Sequence, residues 1–446
     1  MKLYILFISV AVVAWICQIW YNNYTKCSTS LIYKTCEEYK KSPLNNSFCH
    51  SICIENDFTI EECISSTTFN KSVFAVKIND HNTILKVNMQ WFNHVKNYLA
   101  MKPLAIFNAT AFFRDIVSNY FGNNCSECKG LVQKLIIMAD SDKNGNTSQT
   151  EAIWFGSLLL TQETFMLAAM NESRSTVNLN GYCGALYAVE KVHISSSYLV
   201  DTSKAFTDFW GLPEFAEPIE SFFKDILGEL RNNYTWFETL HEYIYIFIKR
   251  LRQDKVPSLQ QRIQFILGSL EMLSSLVSFQ YGEVMWCDIL YENIGFTNTE
   301  KFSSVKLTDL DEVFSVRKVF QNVSKNDNKK CATNTDCLGE NYDVGLYYQH
   351  ACSPYCQNTS LCSHRPQKSN LGYLCDTLFF DVIFNPVVMA LSEQVMSNRI
   401  GSTIYWILND CAKSVEWKTI GEYLASIGTV HAKFRNVTIM LDMDKN

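Results

Sequence analysis

In the stretch "CDILYENIG", residues 287–295, Asp288 precedes Asn293 by five positions, and the later run "VKLTDLDEVF" carries Asp309. These residue types in this order can perform phosphoryl transfer. One aspartate orients an attacking hydroxyl and accepts its proton. The asparagine and the second aspartate hold the divalent ion that neutralises the phosphates. Asp288 is therefore the candidate catalytic base, with Asn293 and Asp309 as ligands of Mg2+ or Mn2+ brought in with ATP. A D-x-x-x-x-N string is common by chance, so the elements around it carry the weight.

Upstream, "PSLQQRIQFILGSLEMLSSLVSF" opens with a proline and a serine cap, and Leu259, Ile263, Ile266, Leu267, Leu270, Leu273 and Val277 mark one apolar helical face. A long buried helix, a short turn and then Asp288 is how such a loop is delivered. After Asn293 the sequence predicts a turn, then a short strand "VKLTD" that ends on Asp309. Earlier, "SVFAVKINDHNTILKVN" predicts a β-hairpin turning at Asn79–His81. Its second strand carries Lys86, which would reach the nucleotide phosphates; Lys77, on the first strand, competes for that role. "LLLTQETFMLAAM" predicts a helix that offers Glu163 as the lysine's catalytic ion-pair partner, the alternative being a solvated glutamate on an amphipathic helix. Residues 177–192 predict two further strands running into a hinge near Glu190, a second contact for the nucleotide.

A different chemistry is written in "DSDKNGNTSQTE", residues 140–151, which matches the twelve-residue EF-hand calcium loop position by position. Asp140, Asp142 and Asn144 supply side-chain oxygens, Gly145 takes the sharp turn, and Asn146 offers its backbone carbonyl. Ser148 follows, directly or through water, and Glu151 closes the set with two oxygens. The run "GLVQKLIIMA" before it and "EAIWFGSLLL" after it predict flanking helices, the second being or entering the Glu163 helix. No second such loop exists to pair with it, and Thr147 stands where paired loops carry a large aliphatic residue. Ca2+ affinity should therefore lie near ~10⁻⁴ M or weaker, which suits a calcium-rich compartment.

The whole chain constrains where this chemistry happens. With 446 residues, 47% hydrophobic and 19% charged, it can bury a large core, and its net charge of −6 argues against a nucleic-acid partner. The apolar run from Leu3 to Trp20 reads as an uncleaved signal anchor rather than a cleaved signal peptide. Of seventeen cysteines only Cys17 lies in that run. The rest cluster at 27–63 and 331–375, with others between and beyond, a density that predicts disulfides in an oxidising compartment. Cys125-x-x-Cys128 has zinc spacing but no second ligand pair, so it too reads as a disulfide. Asn-x-Ser/Thr sequons at Asn23, Asn45, Asn70, Asn108, Asn146, Asn171, Asn233, Asn322, Asn358 and Asn436 agree with a lumenal chain.

Taken together, the anchor, "CHSICIENDFTIEEC", the 140–151 loop, "GYCGALYAVE", "CDILYENIGF", "VKLTDLDEVF" and the "CATNTDC…CSPYC" segment resemble the divergent protein kinase domain family. These are cysteine-rich, membrane-anchored proteins of the endoplasmic reticulum with an EF-hand inserted in the kinase N-lobe. The resemblance implies an α+β, bilobal protein-kinase-like fold, preceded by a single transmembrane anchor and stitched by disulfide-rich segments. It implies a type II protein of the endoplasmic reticulum membrane, the Golgi or a secreted state being the alternatives, acting on an unknown lumenal protein. The expected division is an anchor at 1–21, a cysteine-rich segment at 22–64, an N-lobe at 65–190 and a C-lobe at 191–446.

Several kinase parts are missing. "CISSTTFNKSVFAVKI" has no glycine to cover phosphates, Trp286 and Cys287 replace the usual His-Arg, and Leu290 stands where many kinases carry lysine. Asp311 replaces the glycine of Asp-Phe-Gly, and no Ala-Pro-Glu motif closes the activation segment. Two functions thus compete: an active lumenal kinase, and a pseudokinase serving as a calcium-braced binding module.

Overall fold

A computed structural model of the chain describes residues 29–41, 47–66, 71–99, 107–122, 125, 127–194, 257–298, 303–316, 329–337, 352, 354–357, 360–366, 368–384, 398–413 and 419–443. The expected anchor at 1–21 and the stretch 67–70, where a phosphate-covering turn would fall, lie outside the described residues. So do the sequons at Asn23, Asn45, Asn70, Asn233, Asn322 and Asn358.

Helix α1 (Ser30–Lys41) precedes β1 (Phe58–Ser66), β2 (Lys71–Ile78) and β3 (His81–Asn88). Asn79 and Asp80 both take positive φ, 48° and 64°, the two-residue turn whose twist matches a tight hairpin; His81 already belongs to β3. Five helices follow: α2 (Trp91–Leu99), α3 (Ala109–Phe121), α4 (Cys128–Ala139), α5 (Gln149–Leu158) and α6 (Gln162–Ala169). Strands β4 (Leu179–Cys183) and β5 (Leu186–Glu190) then complete an antiparallel sheet of order β1-β2-β3-β5-β4.

Past Glu190 the chain enters β6 (His193–Ile194), and the long helix α7 (Leu259–Val277) starts at Ser258 with a reciprocal capping box to Gln261. β7 (Val284–Trp286), β8 (Ile294–Asn298), β9 (Ser303–Leu307) and β10 (Val313–Ser315) form two small sheets, β6-β8-β9 and β7-β10. The turn expected after Asn293 is instead strand β8, because Ile294 and Phe296 alternate into the core at 0% exposure. Farther on, β11 (Pro354–Cys356) and β12 (Cys362–Pro366) form a short hairpin, α9 (Ile420–Met443) packs along α7, and α8 (Asn398–Ala412) packs on α9.

One hydrophobic core runs through both parts, from Phe74, Leu85 and Trp154 to Phe265, Leu270 and Phe434. Among the described residues no single helix is long and apolar enough to cross a membrane. The apolar stretch that forms α5 and α6 is bent by 113° across residues 159–161 and lies buried.

The cysteines pair as their density predicts: Cys36–Cys53, Cys49–Cys183, Cys125–Cys128, Cys287–Cys352, Cys331–Cys356, Cys337–Cys362 and Cys375–Cys411 are disulfides, and Cys63 is disulfide-bonded as well. Cys49–Cys183 fixes the early cysteine-rich segment to β4. The approach there is close: a Cβ on Gly181 would lie 2.8 Å from the Phe48 ring, so the strand needs glycine at that point.

Candidate functional site

Lys86 is at 7% exposure and Glu163 at 2%, so this pair is far from solvated. Lys86 leaves β3 opposite Tyr187 of β5 and reaches α6, where its Nζ donates to Glu163 Oε1 at 2.5 Å. Lys77, the competing lysine, is half-exposed and pairs with Asp80 across the hairpin turn. The second Glu163 oxygen accepts from the Tyr187 hydroxyl at 2.8 Å, and burial together with the Glu163 charge raises the Tyr187 hydroxyl well above its ordinary pKa. Tyr187 therefore stays a neutral donor that locks the carboxylate's orientation. Nothing in its sequence position announces this: it is one of several apolar or aromatic residues in "GYCGALYAVE".

Lys86 Nζ also donates to the Thr308 carbonyl at 3.1 Å, the residue before Asp309. Pairing of β8 with β9 sets Thr308 beside Asn293, and the Thr308 N–H donates to the Asn293 carbonyl at 2.9 Å. Asn293 in turn donates from Nδ2 to Asp288 Oδ2 at 2.8 Å and to the Asp288 carbonyl at 3.1 Å. Asp309 accepts from the Asp311 N–H at 3.3 Å. Tyr187, Glu163, Lys86, Thr308, Asn293 and Asp288 thus form one unbroken hydrogen-bonded path. The five residues singled out from the sequence as a phosphoryl-transfer set are either on it or next to it.

Glu190 is a different case. Its side chain is bound to Lys306 Nζ at 2.6 Å and to Asn178, and its N–H donates to the Asn178 carbonyl at 3.0 Å. The side chain ties β5 to β9, at the point where the chain leaves the sheet.

Helix α6 is held at both ends. Near its start, Asn88 Nδ2 donates to Thr161 Oγ1 at 2.9 Å, and Gln162 Nε2 donates to the Val313 carbonyl of β10 at 2.5 Å. At its end, Lys134 of α4 donates to the carbonyls of Ala169 and Asn171, at 3.2 and 2.8 Å. Burial lowers the Lys134 pKa, yet its charge sits favourably at a helix C-terminus.

Lys134 belongs to the helix that enters the 140–151 loop. In that loop the carboxylates of Asp140, Asp142 and Glu151 converge, with one oxygen of each within 4.8 Å of the others. Gly145, at φ 85°, donates to Asp140 Oδ2 at 2.7 Å, and Asn146 donates to Asn144 Oδ1 at 2.8 Å, so the loop is wound around its side-chain oxygens. Ser148 caps α5 and donates to Glu151 Oε2 from both its N–H and its hydroxyl. Burial pushes the Glu151 carboxyl up, but these bonds and those from Ser141 outweigh it and hold it below its usual range.

On the other side of Asp288, Trp286 is 1% exposed, and Asn370 brackets its backbone: Trp286 N–H donates to Asn370 Oδ1 at 3.1 Å, and Asn370 Nδ2 donates to the Trp286 carbonyl. Asn370, 84 positions away, is invisible to a motif search.

Two family models match this chain. Residues 155–414 match a model described as the protein-kinase domain of FAM69, and residues 1–135 match one described as the N-terminal cysteine-rich ER segment of FAM69. The chain belongs to the FAM69 family. Its protein-kinase-like domain is thereby shown, and the family description places the cysteine-rich part in the endoplasmic reticulum. The 140–151 loop falls between the two FAM69 matches. Lys86 lies in the N-terminal FAM69 match, while Glu163, Asp288, Asn293 and Asp309 lie in the kinase-domain match. The site is therefore assembled from both, through the pairing of β3 with β5.

Proposed function

We propose that this chain is a lumenal protein kinase of the endoplasmic reticulum, transferring the γ-phosphoryl group of ATP to a hydroxyl of a secretory-pathway protein. The observation that carries this reading is the continuous path from Tyr187 through Lys86 to Asp288, with Asp309 beside it. In this reading Lys86 holds the ATP phosphates, oriented by Glu163. Asn293 and Asp309 offer oxygens for Mg2+ or Mn2+, and the region near Glu190 receives the base. Asp288 accepts the proton of the attacking hydroxyl; Asn293 keeps its carboxylate turned the right way. Exposed Leu290, in the usual lysine position, leaves more of the transferred charge to the metal.

The test is phosphate incorporation from labelled ATP by the full-length chain with Mg2+ or Mn2+, beside Asp288→Asn. Wild type is expected to transfer phosphate to itself or to lumenal proteins, and the variant to lose about 10²–10⁴-fold. No incorporation, with no ATP-induced rise in melting temperature, would instead make the chain a pseudokinase scaffold.

The 140–151 loop, in the same proposal, binds Ca2+ through Asp140, Asp142, Asn144, the Asn146 carbonyl, Ser148 and Glu151. Convergence of the three carboxylates supports it. Calcium there would stiffen α4 and α5, and Lys134 passes that stiffness to the end of the Glu163 helix. Millimolar Ca2+ is expected to raise the melting temperature of the wild type and not of Glu151→Gln. An equal rise in both would remove the loop from consideration. A type II anchor at 1–21 and glycans on the sequons belong to this proposal as well.

A further inference from the structure

Cys287 is the residue immediately before Asp288, and it is 2% exposed. Its N–H donates to the Glu312 carbonyl at 2.8 Å, which continues the pairing of β7 with β10. On the opposite edge of β7 the outward backbone groups of Trp286 are taken by Asn370. Backbone bonds thus hold the chain firmly up to Cys287, and the catalytic loop turns away from there.

At this turn Cys287 is joined covalently to Cys352, 65 residues later. Cys352 is no loose end. It lies two residues before β11, and the β11–β12 hairpin is fastened to residues 331–337 by Cys331–Cys356 and Cys337–Cys362. The disulfide sits in its own apolar cluster with Met285, Val316 and Phe314, apart from the main core. Such a pocket favours a neutral cross-link over an ion pair, since a buried charge here would be costly.

In ordinary kinases an arginine occupies the position before the catalytic aspartate and pairs with a phosphate on the activation segment. We propose that the Cys287–Cys352 disulfide is the positioning element for Asp288 in this chain, replacing that charge pair with a covalent link to the cysteine-rich segment. The inference rests on the phosphoryl-transfer reading above. It makes the assembled loop a product of oxidative folding, with no activating phosphorylation required. The disulfide acts through Asp288 and touches neither nucleotide nor metal, so its removal should affect turnover and leave ATP binding alone.

The experiment compares the full-length wild type with Cys352→Ser, and with Cys287→Ala/Cys352→Ala in case the lone thiol disturbs folding. Turnover is expected to fall about 10²-fold, as for a misplaced catalytic group, while the ATP affinity read by thermal shift stays within about twofold. Amide exchange gives a second readout that does not depend on activity. Protection at Leu290 and Asn293, whose N–H groups are bonded within the loop, should drop while that of β3 and β5 is retained. Unchanged turnover, unchanged loop protection, or a joint loss of ATP binding and global protection would each overturn the proposal. If wild type transfers no phosphate, the kinase reading fails, and the exchange pattern still decides whether the disulfide positions this loop.

Discussion

Lys86→Met is expected to abolish phosphate transfer and to lower stability by about 3–5 kcal/mol, because it removes the buried ammonium with which the Glu163 carboxylate is paired. Glu163→Gln should also lower stability, since it removes the negative charge that offsets burial of the Lys86 ammonium. These losses alone would not separate a functional pair from a structural one. The double variant Lys86→Met/Glu163→Leu does. Replacing both charges by apolar groups of similar volume removes the desolvation penalty, so part of the lost stability should return, less the cost of leaving the buried Tyr187 hydroxyl without its Glu163 acceptor. Activity and ATP-induced stabilisation should stay absent. Melting curves with and without ATP, run beside the transfer assay on all four proteins, read this out. A double variant that still binds ATP would show that the nucleotide does not use this lysine.

Asp309→Ala carries the second large effect. Asp309 is partly exposed beside a path whose other members are mostly buried, and its neighbour Thr308 is pinned from both sides by Lys86 and Asn293. Backbone placement should therefore survive the substitution. Loss of a metal-holding carboxylate should lower transfer on the order of 10³-fold and remove the divalent-ion dependence of ATP binding. Asp288→Asn should show the opposite split, with metal-dependent ATP stabilisation retained and chemistry lost. Identical behaviour of the two variants would argue that Asp309 and Asp288 do not hold separate roles.

Much of this site is legible in the sequence because its groups are rare in kind and fixed in order. Asp288, Asn293 and Asp309 follow a capped, periodic helix, and Lys86 and Glu163 sit on elements whose patterns are plain. Three features resist such a reading. Tyr187 acquires its role through cross-strand pairing with Lys86, which no local pattern encodes. Asn370 meets Trp286 across a long separation, by packing alone. The bend between α5 and α6 is hidden for another reason. From Glu151 to Leu158 every residue is buried, so the apolar stripe that marks a helix's direction has no polar side against which to be seen. The strand after Asn293 is masked by Gly295 and Asn298, although Gly295 is there because Val192 packs 2.4 Å from where its Cβ would be.

The bond between Cys49 and Cys183 also sets a timetable. The two residues are 134 positions apart, whereas Cys36 and Cys53 are separated by only 17. At ordinary rates of synthesis, Cys49 waits roughly 7–27 s for its partner to be made. During that wait Cys27, Cys36, Cys53 and Cys63, and later Cys125 and Cys128, are all made before Cys183. Closure of Cys36–Cys53 takes the two rivals of its own segment that pair locally out of play. The short local bridge thus acts as a placeholder in time, keeping Cys49 available until β4 emerges to claim it.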